Sequence, residues 1–254
     1  MSADLETAAQ PIDHFIRYQE MVFRRQHRLL RSTMRGMDGA EAKREELLEQ
    51  IRDSASKRRD EEELQERLYL VAFLGGEAEY DALVELVTPD DEDDPQYLDI
   101  GEHPLLRNED TRAGFYAALG TLGQQLGNRD GARLETLALL LRRGMSDEAP
   151  DVRIAAAGAA SRSVKYSRQG MAHYATLVRP LIRLLGDPGW NVKRAAVSAL
   201  ADIPTPQSQR ALERFGARED DLHLTRFAAW ALNRVRERSG VFRSLLDSLR
   251  KPAR

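Results

Sequence analysis

Hydrophobic positions along this 254-residue chain recur at the spacing of helices. One segment shows the pattern clearly, with apolar side chains three or four positions apart at Tyr174, Leu177, Val178, Leu181, Ile182 and Leu185. Such spacing places apolar side chains on one face of an α-helix. No run of the sequence alternates with the period of two that a half-buried strand requires. The pattern therefore predicts an all-α protein.

Ala-rich helical segments recur along the chain at regular intervals. Aligned on the position seven residues before a Leu or Ala, they are anchored at Arg67, Arg112, Arg153, Lys193 and Thr225. The intervals between these anchors are 45, 41, 40 and 32 residues. A second amphipathic helix is predicted after each Ala-rich one, at Glu77–Thr88, Asp130–Gly144, Gly170–Gly186, Pro206–Gly216 and Val241–Arg250. Helix pairs repeated about every 40 residues indicate a helical-repeat array.

The segment Leu184–Ile203 carries the clearest copy of the repeat. It joins a helix end, the turn Asp187-Pro188-Gly189 and an Ala-rich helix within twenty positions. With the spacing of the other copies, it resembles the HEAT-repeat family, in particular the bacterial PBS-lyase-like repeats, over Glu61–Arg250. The resemblance implies a right-handed α-solenoid of about five HEAT-like helix pairs.

The resemblance also implies a ladder of polar contacts between repeats. In the family, an Asp or Asn at the start of a repeat helix and a basic residue just inside it form this ladder. The matching pairs are Asp110 with Arg112, Asp151 with Arg153, and Asn191 with Lys193. Gln65 and His223 depart from the pattern, so we expect the ladder to weaken at both ends of the array.

The remaining segments divide the chain. We predict a disordered tail at 1–11, a helical hairpin cap at 12–60, the repeat array at 61–250 and a short tail at 251–254. The cap would consist of helices Asp13–Arg35 and Ala40–Lys57, since a terminal repeat needs a polar outer face. An acidic insertion occupies 88–107. Glycines fall at predicted helix ends, where left-handed caps are expected, at Gly75-Gly76, Gly127, Gly144, Gly186 and Gly216.

Composition excludes several classes of protein. The chain has no cysteine, so it has neither disulfides nor thiolate chemistry. No apolar run approaches the length of about 20 residues that spans a bilayer, and the polar N-terminus lacks the features of a signal peptide. We therefore expect a cytoplasmic protein without integral membrane association. The net charge of −3 hides an asymmetry, because residues 152–254 hold 19 basic and 8 acidic side chains.

Catalytic and cofactor motifs are not found in the sequence. There is no nucleophile elbow, phosphate-binding loop or dinucleotide fingerprint, and the five histidines show no metal-ligand spacing. The acidic run Asp90–Asp94 lacks the ligand spacing of a calcium loop and is interpreted as a solvated segment. Trp230 is expected in the core, whereas Trp190 begins a helix and is expected to be more exposed. We predict a protein that is not an enzyme and uses no cofactor or metal.

Arginines on the second helices form the candidate binding surface. In HEAT arrays the second helix of each pair lines the concave side, and three of these helices would present a basic stripe there. We predict a non-enzymatic scaffold that binds a partner protein with an acidic surface or segment, through Arg133, Arg143, Arg179, Arg183, Arg210 and Arg214.

Two alternatives remain open at this stage. A basic stripe also suits nucleic acid, including the substrate of a HEAT-like glycosylase for alkylated bases, and such binding depends strongly on salt. The acidic N-terminal half and the basic C-terminal half also suit homotypic assembly, in which heterologous contacts form rings or filaments.

Overall fold

The computed structural model of the chain describes residues 36, 39–56, 61–88, 106–126, 130–164 and 168–250. Within these ranges the regular structure is entirely helical, as predicted. The helices are α1 Ala40–Ser56, α2 Glu61–Leu74, α3 Glu77–Glu85, α4 Glu109–Gly123, α5 Gly131–Gly144, α6 Pro150–Ser163, α7 Arg168–Ala175, α8 Val178–Leu184, α9 Trp190–Asp202, α10 Pro206–Arg218 and α11 Leu222–Arg250.

The helices form two layers of an α-solenoid, which confirms the predicted fold class. The Ala-rich helices α2, α4, α6, α9 and α11 make up one layer, in which each packs against the next. The second helices α3, α5, α7 with α8, and α10 make up the other layer. One continuous apolar core runs between the layers, from Leu47 in α1 to Val235 in α11.

Local sequence signals set the starts of several helices. The Asn108 side chain accepts the backbone N–H groups of Asp110 and Thr111 at 2.7 and 3.2 Å, and so caps α4. Thr205 caps α10 in the same way, accepting the Ser208 N–H at 3.0 Å. Side-chain acceptors at this position satisfy backbone donors that the first turn of a helix leaves unpaired.

The predicted helix Gly170–Gly186 is wrong as a single element. The structure has α7 and α8 there, with a turn at Thr176 and Leu177 between them. Pro180 explains the break, since its ring lacks an N–H and clashes with the carbonyl of the residue four positions earlier. That residue is Thr176. The side chains of α8 therefore belong to a separate helix and do not continue the face of α7.

The predicted second helix Val241–Arg250 is also wrong as a separate element, because α11 continues from Leu222 to Arg250. Gly240 lies inside this helix. A helical glycine costs about 1 kcal/mol relative to alanine but does not end the helix without a cap or a proline. The last Ala-rich helix therefore extends through the position expected for its second helix.

Glycines in the described ranges serve close packing more than chain reversal. Only Gly39 has a positive φ, at 82°, so the left-handed caps predicted for Gly75-Gly76, Gly144, Gly186 and Gly216 are wrong. Gly127 lies outside the described residues.

Gly120 lies at a close contact in the interface between α4 and α6. A Cβ built on Gly120 would lie 2.5 Å from both the Cα and the Cβ of Ala159. Ala156, Ala157, Ala159 and Ala160 of α6 are fully buried. The absence of a side chain at Gly120 and the small side chains of α6 let the two backbones pack closely, so the Ala-rich pattern sets the spacing of the repeats.

A polar ladder links consecutive repeats, as predicted for its basic members. Arg112 binds both carboxylate oxygens of Asp147, at 3.0 and 3.1 Å, and this interaction raises the pKa of Arg112. Arg153 binds Asp187 at 2.9 Å. Lys193 binds Glu219 at 2.8 Å. Each rung therefore joins an Ala-rich helix to the loop that precedes the next Ala-rich helix.

The acidic members of the ladder differ from the expected ones. The side chains of Asp110, Asp151 and Asn191 are exposed and have no partner among the described residues. The loop acids also organise their own turns, since Asp147 accepts the Ala149 N–H at 2.9 Å and Asp187 accepts the Gly189 N–H at 2.8 Å. An acid in the loop can bind both the basic side chain of the preceding helix and a backbone N–H of its own turn. An acid in the first helical turn instead points to solvent.

Several predicted segments fall outside the described residues. The helix Asp13–Arg35 and both tails lie there, as does the acidic insertion between 89 and 105. The second helix of the predicted cap is α1, which packs against α2 and α3. The division of the chain into cap and array stays a prediction.

Replacing Gly120 with alanine tests the close packing of α4 on α6. We expect Gly120→Ala to lower the free energy of unfolding by roughly 1–3 kcal/mol, because the added methyl group overlaps the Ala159 backbone. Gly131→Ala is the matched control, since a Cβ at position 131 would meet nothing within 4 Å. Urea unfolding followed by circular dichroism measures both. Equal midpoints for the two variants would contradict the close contact.

Replacing Asp187 with alanine tests the ladder. The change leaves Arg153 without its carboxylate and the Gly189 N–H without its acceptor, and we expect a loss of about 1–3 kcal/mol. Asp151→Ala removes the acid that the sequence pattern suggested, and we expect little change. Thermal unfolding of both variants measures the difference. A larger loss for Asp151→Ala would show that the rungs are assigned to the wrong acids.

Candidate partner-binding surface

Arg133 of α5 lies inside a network of carboxylates. Its guanidinium binds both oxygens of Asp81 at 2.7 Å and one oxygen of Asp130 at 2.5 Å, and Glu77 lies 3.5 Å away. These carboxylates raise the pKa of Arg133 and neutralise its charge. Arg133 thus joins α3 to α5, and its charge is already matched within the protein.

Arg143 and Arg183 line one groove, although they belong to different second helices. The groove has a volume of about 430 Å³ and lies among the C-terminal ends of α5 and α8 and the side of α4. Arg142 also lines it, so three arginines border this space. The structure therefore brings together two of the six arginines that the sequence selected, and adds a third.

The arginines of this groove have no carboxylate partner in the part of the chain that the structure describes. No ion pair within 4 Å forms there for Arg142, Arg143 or Arg183, and all three are exposed. The carboxylate that lines the groove belongs to Asp147, which is held by Arg112. The groove is consequently rich in positive charge that the fold does not neutralise.

Arg179, Arg210 and Arg214 lie on the same layer of second helices, outside this groove. All three are exposed. Arg210 and Arg214 each donate from Nε to the backbone carbonyl four residues earlier, at 3.2 Å, and neither meets a carboxylate within 4 Å in the described ranges. They extend the positive surface from α8 to α10.

Arg142 and Tyr116 are the two lining residues that add a cation and a hydroxyl group beyond the arginines selected from the sequence. Arg142 directly precedes Arg143 and was available from the same pattern. Tyr116 lies on an Ala-rich helix, where its apolar neighbours indicate core, and only 1% of its surface is exposed. No pattern in the sequence could show that its ring reaches the end of α5.

The aromatic side chains of the C-terminal repeats form a separate cluster. Trp230 is buried and stacks on Phe227 with 4.9 Å between ring centroids, while Trp190 is 42% exposed, as expected for both tryptophans. Arg194 lies over the rings of Trp190 and Phe227 at 5.9 and 5.8 Å. The first cation–π contact lies within α9, and the contact with Phe227 ties α9 to α11 at the repeat junction.

The described ranges contain neither a cluster of metal ligands nor a membrane-spanning helix. No group of three His, Asp or Glu residues with the geometry to hold a metal ion occurs there. None of the helices described combines the length and the apolar character that crossing a bilayer requires.

Comparison with known proteins identifies the repeats. The model of the family HEAT repeats matches residues 162–233. Among curated proteins, none matches this sequence. Similar solved structures include the designed armadillo repeat protein YIII(Dq.V1)4CPAF in complex with peptide (KR)4, at 17% identity and a TM-score of 0.49, covering 85% of this chain and 94% of that one.

The designed armadillo repeat protein YIII(Dq)4CqI is also similar, at 18% identity and a TM-score of 0.40, covering 75% of this chain and 98% of that one. The matched residues of the HEAT family run from the end of α6 into α11 and contain the Lys193–Glu219 rung. HEAT-type solenoids are typically interaction scaffolds, because stacked helix pairs create long binding surfaces. The HEAT-repeat model matches residues 162–233, and the two-layered stack of helices continues on either side of that segment as an α-solenoid.

Proposed function

We propose that this protein is a non-enzymatic scaffold that binds a partner protein through the arginines of its second helices. The partner would present an acidic surface or an acidic segment. The observation that carries the proposal is the contrast between two sets of arginines, those at the repeat junctions and those on α8 and α10. The first set is paired with carboxylates, and the second is exposed without them.

The binding surface consists of Arg142, Arg143, Arg179, Arg183, Arg210 and Arg214. Arg133, which the sequence pattern also suggests, is left out because Asp81 and Asp130 neutralise its charge. Exposed charges of one sign on a rigid face steer an oppositely charged partner and favour the correct register of binding. A guanidinium group also forms two parallel hydrogen bonds with a carboxylate, which suits an acidic segment.

Charge reversal at three positions tests the proposal. The variant Arg179→Glu, Arg183→Glu, Arg214→Glu would repel an acidic partner, and we expect its affinity to fall about tenfold or more. The partner is isolated from the native host with the wild-type chain as bait, identified by mass spectrometry, and then titrated in purified form against both proteins. Unchanged affinity of the triple variant would refute the proposed surface.

A single pair of variants controls for nonspecific effects of charge. Arg183 and Arg226 are both exposed, but Arg226 lies on α11, in the other layer. We expect Arg183→Glu to weaken binding and Arg226→Glu to leave it unchanged. Equal losses from the two would indicate a general charge effect.

Two other outcomes would select the alternative functions. Binding of duplex DNA that weakens steeply as salt rises would favour a nucleic-acid-binding protein. A molecular mass that rises at low salt and falls at high salt, measured by light scattering, would favour homotypic assembly. Either result in place of protein binding would replace the proposal.

A further inference from the structure

Tyr116 differs from the other fully buried tyrosines in the hydrogen bonding of its hydroxyl group. Tyr80 donates its hydroxyl to the backbone carbonyl of Arg133 at 3.0 Å, and Tyr174 donates to that of Ser163 at 2.5 Å. The hydroxyl of Tyr116 has no hydrogen-bond partner among the described residues, although only 1% of the surface of this residue is exposed. This oxygen is not among the fully buried atoms that lack a partner, so it reaches the solvent of the groove and is free to donate to a ligand there.

The position of the ring directs this donor to the arginine groove. The Tyr116 Cζ atom, which carries the hydroxyl, lies 2.6 Å from the point where a Cβ of Gly144 would be. Gly144 ends α5 directly after Arg142 and Arg143, and Tyr116 itself lines the groove. Glycine at 144 therefore leaves room for the tip of the phenol beside the guanidinium groups.

The Tyr116 hydroxyl stays protonated at neutral pH. Burial raises the pKa of Tyr116 well above its usual range, and the nearby Asp147 carboxylate adds to the shift. The hydroxyl is thus a neutral donor at every pH at which the fold is expected to work. The groove then combines one O–H donor with three guanidinium groups.

The preference of cations for helix C-termini explains why each arginine lies at the end of its helix, but it does not explain why all three line one groove. Arg142 and Arg143 occupy the last turn of α5, and Arg183 occupies the last turn of α8, where the helix dipole favours cations. The stacking of α5 near α8 brings these two ends to one groove. Three arginines that line one groove without a carboxylate partner in the described ranges make it positively charged, which favours an anionic ligand there.

We propose that this groove binds a phosphomonoester group, carried by a phosphorylated side chain in the acidic segment of the partner. The inference rests on the proposed function and specifies the chemistry of its ligand. The charged residues that line the groove are three arginines and Asp147, for a formal charge of +2. A phosphomonoester carries a charge of about −1.5 to −2 at neutral pH and three acceptor oxygens. A carboxylate supplies only one negative charge and two acceptor oxygens, so a phosphomonoester matches the charge of the groove better.

The size of the groove suits a phosphorylated side chain better than a free ion. A volume of about 430 Å³ falls within the range of ordinary ligand pockets, roughly 300–1,000 Å³. Leu139 contributes apolar surface to the lining, against which the carbon atoms of a bound side chain would pack. The partner segment would then continue along the exposed arginines of α8 and α10.

Small model ligands test the inference with the full chain. N-acetyl-phosphoserine methylamide is titrated against the protein at constant low ionic strength, followed by ³¹P NMR, beside N-acetyl-glutamate methylamide followed by ¹H NMR. We expect the phosphoserine derivative to bind at least tenfold more tightly. The double variant Arg143→Ala, Arg183→Ala should lose this binding, while Arg226→Ala, on α11 in the other layer, should retain it.

A pair of tyrosine variants separates binding from folding. We expect Tyr116→Phe to weaken phosphoserine binding severalfold and to leave the thermal unfolding midpoint unchanged, because its hydroxyl has no partner to lose. Tyr80→Phe should show the reverse, with a lower unfolding midpoint and unchanged affinity. Full phosphoserine affinity in Tyr116→Phe would overturn the role of this donor.

The remaining outcomes each overturn the inference. Equal affinities for the glutamate and phosphoserine derivatives would indicate an acidic segment without phosphate, which leaves the proposed function in place. Inorganic phosphate that binds as tightly as the phosphoserine derivative would indicate a site for a free anion. If no ligand binds, the groove does not recognise anions of this size, and the titration with the triple variant decides the proposed function independently.

Discussion

The close approach of successive Ala-rich helices is the constraint on which the rest of this structure depends. Gly120 and Ala159 meet with no room for another methyl group, and fully buried alanines continue the same surface along α6. Small side chains gain little apolar burial individually, but they let backbones pack at short range over a long interface. This spacing fixes where one repeat stands relative to the next, and it leaves the larger apolar side chains to fill the space between the two layers.

The polar ladder depends on that spacing. The rungs Arg112–Asp147, Arg153–Asp187 and Lys193–Glu219 each span from an Ala-rich helix to the loop before the next one. Their side chains are largely buried, with 7 to 23% of their surface exposed, so an unmatched member would carry a desolvation cost. Because the acids Asp147 and Asp187 also bind backbone N–H groups of their own turns, each of these rungs couples the shape of a loop to the position of the preceding helix.

The same fold separates the arginines of the chain into paired and unpaired sets. Arg112 and Arg153 on the Ala-rich helices face repeat junctions and find carboxylates there, whereas those on α8 and α10 face outward. Asp147 belongs to both regions, since it forms a rung with Arg112 and also lines the groove. The same carboxylate thus stabilises the packing of two repeats and borders the proposed ligand site. Function in such a scaffold lies in the surface presented by the repeats, since the fold itself specifies no chemistry.

Sequence patterns alone predicted the helical class, the spacing of the Ala-rich helices and the basic members of the ladder. These features follow from periodicity and from residue size, which are local properties. Pro180 also carried a local signal for the break between α7 and α8, which the amphipathic pattern obscured. The acidic partners of the ladder lie 26 to 35 residues away along the chain, so only the packing of repeats identifies them.

Tertiary structure alone decided which arginines keep their charge available. Arg133 and Arg143 belong to the same helix, yet the first is matched by carboxylates and the second faces a groove. The difference arises because α3 and α8 approach opposite ends of α5. The unused hydroxyl of Tyr116 is likewise invisible in the sequence, since its environment comes from the glycine at the end of a different helix. Local patterns set the elements, and the contacts between distant elements set the charge and hydrogen bonding of the surface.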